Sequence, residues 1–158
     1  EFGIPGMEIQ RWAKDYKKGI FKTPDQYRPN SISVVSTHDI SSLKGWWAHD
    51  ITDPAERKVF WEYLGLKGAP SAKSTPSFIK AALLKVNESK SVFSIQLLQD
   101  WLSLGDLPGS DRKDFRINFP GTVSDANWTI RMPYSLEEMT KLPANAVIRD
   151  ISQRTNRI

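Results

Sequence analysis

The sequence predicts an α/β fold of parallel strands linked through helices, with too few strands to close a barrel. Short strand-like runs are separated by a long helical stretch, an order that suits parallel βα units. The helical segments carry clear boundary chemistry. At 158 residues the chain offers three strands, against the eight strands and about 250 residues of a typical closed parallel barrel. The count predicts a fragment.

The elements follow in order. After the turn Gly3-Ile4-Pro5-Gly6, residues 7–12 alternate apolar and polar, the period of a strand. Residues 13–30 are polar and interrupted by Pro24 and Pro29, and read as a loop. Residues 31–36 form a second strand, ending in Thr37-His38-Asp39. Asp53-Pro54-Ala55-Glu56 sets an N-cap acid before Pro at the first helical position, and Gly65 closes that helix. Thr75-Pro76 opens the next, with Phe78, Ala82 and Val86 on one face, and residues 67–74 link the two. Residues 92–96 read as a third strand, followed by an apolar helical turn from Leu97 to Leu104 that stops at Gly105. Residues 105–127 are an irregular loop rich in Gly, Pro, Asp and Asn. Ser135-Leu136-Glu137-Glu138 is a capping box, and terminal helices within 135–157 close the chain around Pro143.

Composition narrows the function classes. Hydrophobic content of 39% and charged content of 25% suit an ordinary folded domain. The net charge of +4 is scattered, with only a loose tail group at Arg149, Arg154 and Arg157, so no nucleic-acid footprint is expected. The absence of cysteine excludes disulfides and thiolate metal sites. No metal and no cofactor is expected. No apolar run of about eighteen residues spans a bilayer and no leader pattern opens the sequence, so no membrane contact and a cytoplasmic location are expected. Six tryptophans raise the prior for sugar or nucleotide binding slightly, although core packing is the default for each.

The chemistry concentrates at Thr37-His38-Asp39. In a parallel barrel the C-terminal ends of the strands form the catalytic face, and an imidazole beside a carboxylate suits a ligand rich in hydroxyls. Two plainer readings stand beside it: Asp39 as the N-cap of a helix over 40–47, and His38 as a satisfied buried histidine.

Thr37-His38-Asp39 followed by Leu43-Lys44-Gly45-Trp46-Trp47 resembles the "THD…LRGWW" signature of the amylomaltases, the 4-α-glucanotransferases of glycoside hydrolase family 77. Four further blocks resemble the family in its own order. They are Gly3-Ile4-Pro5-Gly6-Met7 with Ile9-Gln10-Arg11, then Leu97-Leu98-Gln99-Asp100-Trp101-Leu102, Arg116-Ile117-Asn118-Phe119-Pro120-Gly121-Thr122, and Asn127-Trp128 with Arg131. The resemblance implies the C-terminal portion of a TIM (β/α)8 barrel, about its last three strands with their helices. It also implies a retaining double displacement on α-1,4-glucan or maltooligosaccharide, with a sugar hydroxyl as acceptor, inside a barrel completed by the rest of the parent chain.

By the same resemblance Asp39 is the family's third active-site carboxylate, gripping ring hydroxyls of the reacting sugar and stabilising the flattened transition state. His38 corresponds to the histidine that bonds the same sugar. Arg11 at the end of the first strand, Trp46 just past the motif, and Asn118 and Pro120 are candidate substrate contacts. Core packing is the competing role for Trp46, and a structural role is preferred for Gln99 and Asp100. The family's nucleophile and acid/base belong to blocks that this sequence does not contain; Glu1 lies too close to the Gly-Ile-Pro-Gly turn to be the latter. The isolated chain is therefore expected to be inactive. Ile40-Ser41-Ser42 departs from the common Pro-Thr or Asp-Thr pair, which leaves the subgroup open. The rival from another class is a non-catalytic carbohydrate-binding module.

Overall fold

A computed structural model describes residues 3–105, 107–112 and 115–157. Strands β1 (Gly6–Ile9), β4 (Ser31–Val34) and β5 (Phe93–Ser94) form a parallel sheet in the order β1-β4-β5. Between β1 and β4, β2 (Lys14–Asp15) and β3 (Ile20–Phe21) pair antiparallel as a small separate hairpin. Its turn is fixed by the Asp15 carboxylate accepting from the Lys17 and Lys18 N–H groups, and by Gly19 at φ 65°. The polar composition of 13–30 hides this hairpin, because Phe21 is the only strongly buried apolar side chain that its two strands supply.

Each parallel strand is shorter than its sequence pattern. β1 stops at Ile9 because the Trp12 and Ala13 N–H groups both fold back to the Ile9 carbonyl, each at 2.9 Å. β4 stops at Val34 rather than Ser36, and β5 holds only two of the residues 92–96. Pairing beside β5 is prolonged by a side chain. Gln96 Oε1 accepts from Val35 N–H at 2.8 Å, in place of a backbone acceptor, and its amide adds a 3.2 Å bond to the Ser33 carbonyl that already accepts from Ile95 N–H at 3.1 Å.

The helices are α1 (Leu43–Gly45), which runs on as a π-helical turn over Trp46–Asp50, then α2 (Pro54–Tyr63), α3 (Pro76–Asn87), α4 (Leu98–Leu102), α5 (Leu136–Met139) and α6 (Ala144–Arg154). Their starts follow the capping chemistry of the sequence. Asp53 accepts from Ala55 N–H, Thr75 from Phe78 N–H, and Ser135 and Glu138 form a reciprocal box. Each such cap contributes about 1 kcal/mol. Trp46, Trp47, Phe60, Trp61 and Phe78 interlock as an aromatic core, with Trp47 and Phe78 ring centroids 4.4 Å apart. Among the tail arginines, Arg157 donates to the Asn87, Ser89 and Ser91 carbonyls at the end of α3, and Arg154 lies 3.8 Å from Asp150.

The sheet has two unlike faces. Ser31 and Ser33, in register with Gly6 and Glu8, are buried; the Ser33 hydroxyl donates to the Val86 carbonyl of α3. Small side chains here let the helix approach closely. On the opposite face Met7 and Phe93, in register through Ile32, are exposed apolar residues. Continuous burial on both sides, the usual state of a parallel sheet, is not achieved within this chain.

Candidate functional site

The segment after β4 lifts Thr37, His38 and Asp39 away from the sheet and returns as α1. Ser42 caps that helix, its Oγ accepting from Gly45 N–H. Asp39 therefore does not cap it. His38 is not a buried histidine either: its side chain is 51% exposed and that of Asp39 47%. The His38 Nε2 stands 3.3 Å from Asp39 Oδ2.

The opposite wall comes from residues 115–128. Asn118 Nδ2 donates to Asp39 Oδ1 at 2.7 Å, and the Asn118 N–H donates to the His38 carbonyl at 3.1 Å. Arg116 donates to the Asp39 carbonyl at 2.7 Å and lies over the Phe119 ring at 5.1 Å. The Asn127 amide holds the Phe119 N–H at 3.0 Å, and the Trp128 ring sits 5.1 Å from the imidazole of His38. A carboxylate, an imidazole, an amide and an indole thus share one solvent-facing cluster. Its hydrogen-bonding inventory suits vicinal hydroxyls, since the carboxylate accepts and the amide and imidazole can donate.

Beneath the turn lies a buried polar layer. Arg11 Nη2 donates to Ser36 Oγ at 2.8 Å and to the Ser41 carbonyl at 2.9 Å, bracketing residues 37–40 on both sides. Its guanidinium lies 5.0 Å from the Trp46 ring centre. Burial lowers its pKa to about 10, an effect opposed by the nearby Asp100 charge. Asp100 accepts from the Leu43 N–H at 2.8 Å, and its burial raises the carboxyl pKa, against the pull of that bond and of Arg11. Charged groups out of water are costly unless hydrogen-bonded, and here the bonds of both go to one turn.

Of the expected site residues, the structure brings His38, Asp39 and Asn118 together. Pro120 is exposed, one residue beyond Phe119 in the same segment. Arg11 and Trp46, only 4% and 7% exposed, lie in the layer below rather than in this cluster. Sequence reasoning gave no role to Arg116 or Trp128, although both fall inside the matched blocks. Among the described residues no cluster of His, Asp and Glu suited to a metal is present, and no helix is long and apolar enough to cross a membrane.

Comparison with known proteins first defines the class. The fold superposes on an amylomaltase from Streptococcus agalactiae, solved in complex with acarbose, with a TM-score of 0.70 at 22% identity over 98% of this chain and 28% of that one. The chain thus has the α/β fold of part of an amylomaltase. Sequence relatives are 4-α-glucanotransferases from Chlamydia caviae, 37% identical over 154 residues, and from Chlamydia trachomatis, 36% identical over 142 residues. These alignments cover 96% and 88% of this chain but 28% and 26% of the relatives, so it spans about a quarter of their length. The 4-α-glucanotransferase family model of glycoside hydrolase family 77 matches residues 1–137. The chain belongs to that family.

Proposed function

We propose that this chain is the C-terminal part of an enzyme that transfers α-1,4-glucan segments to an acceptor sugar by a retaining double displacement. In this reading β1, β4 and β5 are the last three strands of a (β/α)8 barrel, and the apolar face bearing Met7 and Phe93 meets the remaining strands. The supporting observation is the half-exposed Asp39 carboxylate, held at Oδ1 by Asn118 and flanked at Oδ2 by His38. A carboxylate fixed in this way is ready to accept bonds from ring hydroxyls without reorganising.

Asp39 grips the sugar whose anomeric carbon is attacked. Its bonds tighten as the ring flattens and the hydroxyls become more acidic, so they stabilise the transition state more than the bound substrate. A charge-assisted bond of about 1.5–3 kcal/mol is worth one to two decades in rate. His38 supplies a second contact to the same sugar, and Asn118 and Pro120 line the mouth. Nucleophile and acid/base come from the rest of the parent chain, with an oligosaccharide as the partner molecule. The reading includes no cofactor or metal, no nucleic acid or membrane partner, and a cytoplasmic location.

The test is glucose release from maltotriose. The full-length protein releases it; residues 1–158 alone do not. Sustained turnover by the isolated chain would refute the division of carboxylates proposed here.

A further inference from the structure

Trp128 is the residue in the site whose conformation asks for an explanation. Its backbone has φ 64°, a left-handed conformation that a bulky side chain rarely adopts and that costs folding free energy. The turn is enforced: Trp128 N–H donates to the Ile117 carbonyl at 2.7 Å, and Asn127 ties together Phe119 and Thr122. Glycine would make this turn without strain. What the position gains from tryptophan is the indole, and that indole is not used for packing the core, because Trp128 is 63% exposed. Trp46, Trp47 and Trp61, by contrast, are all buried in the aromatic core.

The ring stands beside His38 at 5.1 Å and 37°, touching one end of the hydroxyl-binding cluster. A pyranose has a polar rim and apolar C–H faces. Asp39, Asn118 and His38 can hold the rim, yet they give no surface to a face. We infer that the open side of the Trp128 indole stacks on the C–H face of a glucose unit adjoining the one held by Asp39. It is thereby a specificity residue for glucan chains over isolated polyols. This inference rests on the glucan-transfer reading above.

Such a contact is made equally before and during reaction, so it acts on KM and leaves kcat nearly unchanged. In the full-length protein, Trp128→Ala is expected to raise KM for maltotriose roughly three- to tenfold, the scale of one aromatic face contact. Trp128→Phe should restore most of that loss. Trp128→Gly, which relieves the left-handed strain, should raise KM to the same extent without lowering the melting temperature. If the wild-type protein turns over maltotriose and Trp128→Ala keeps its KM, the stacking role fails while the glucan reading stands. A variant that loses kcat and melting temperature with KM unchanged would make Trp128 a structural residue and overturn the inference. If the wild-type protein leaves maltotriose untouched, both readings fall together.

Discussion

Two layers of polar residues lie on either side of the turn after β4, and they are built on opposite terms. The outer layer, His38, Asp39 and Asn118, is half open to solvent and keeps hydrogen-bonding capacity in reserve. The inner layer, Arg11, Ser36, Ser41 and Asp100, is buried and directs its bonds at backbone and side-chain atoms of the turn. Charge in the first is available to a ligand. Charge in the second is used to hold the first in position. The contrast shows that a charged residue near a reactive group gains its role from exposure and from which partners it has already taken, not from proximity alone.

The comparison can be broken first from below. Arg11→Ala removes a cation near buried Asp100 and frees the acceptors at Val35, Ser36 and Ser41, and should cost about 3 kcal/mol in stability. Denaturant unfolding of the full-length protein measures this; a loss under 1 kcal/mol would mean that the inner layer is not a clamp. From above, Asp39→Asn should lower kcat for maltotriose by about two decades with little change in unfolding midpoint. A variant that retained most of its rate would remove Asp39 from the mechanism.

A smaller effect separates holding from gripping. Asn118→Ala releases one oxygen of the Asp39 carboxylate and should reduce kcat roughly tenfold, the scale of one charge-assisted hydrogen bond. Combined with Asp39→Asn, it should add little beyond the single change, since both act on one contact. Additive losses in that cycle would show that Asn118 works independently of the carboxylate.

The smallest effect is a pH slope. Burial raises the Asp100 pKa above its unfolded value, so the native state binds this proton more tightly. The resulting stability is present in full below the unfolded carboxyl pKa of about 3.9 and is lost as pH rises through the folded value. Asp100→Asn keeps an oxygen for the Leu43 N–H and should flatten that part of the stability–pH curve relative to wild type. An unchanged slope would mean that Asp100 titrates like a surface acid.

Much of the fold was legible because its punctuation is local. Asp53-Pro54, Thr75-Pro76 and Ser135 to Glu138 announce helices through capping geometry that depends on a few neighbouring residues. The hairpin over 14–21 was illegible for the opposite reason, having two-residue strands and a polar turn with no alternation to detect. In the site, Thr37-His38-Asp39 stood out as a polar cluster after an apolar strand, and Asn118 through its block. The position of Arg11 and Trp46 beneath the turn was not legible, because the sequence records which residues neighbour a motif but not on which side of the turn they fall. Trp128 stood in the sequence only as part of a block; its backbone angle and the ring of a residue ninety positions away in sequence give it a place in the cluster.

The bare face and the short outer strands have a practical consequence for handling the chain. Among the described residues β1 and β5 are both terminal in the three-stranded sheet, with no further strand beside them, and both border exposed Met7 and Phe93. Such rims invite like molecules to join edge to edge. Produced by itself, the polypeptide should therefore self-associate in a concentration-dependent manner, and co-expression with the upstream part of a relative should suppress the aggregation by occupying both rims.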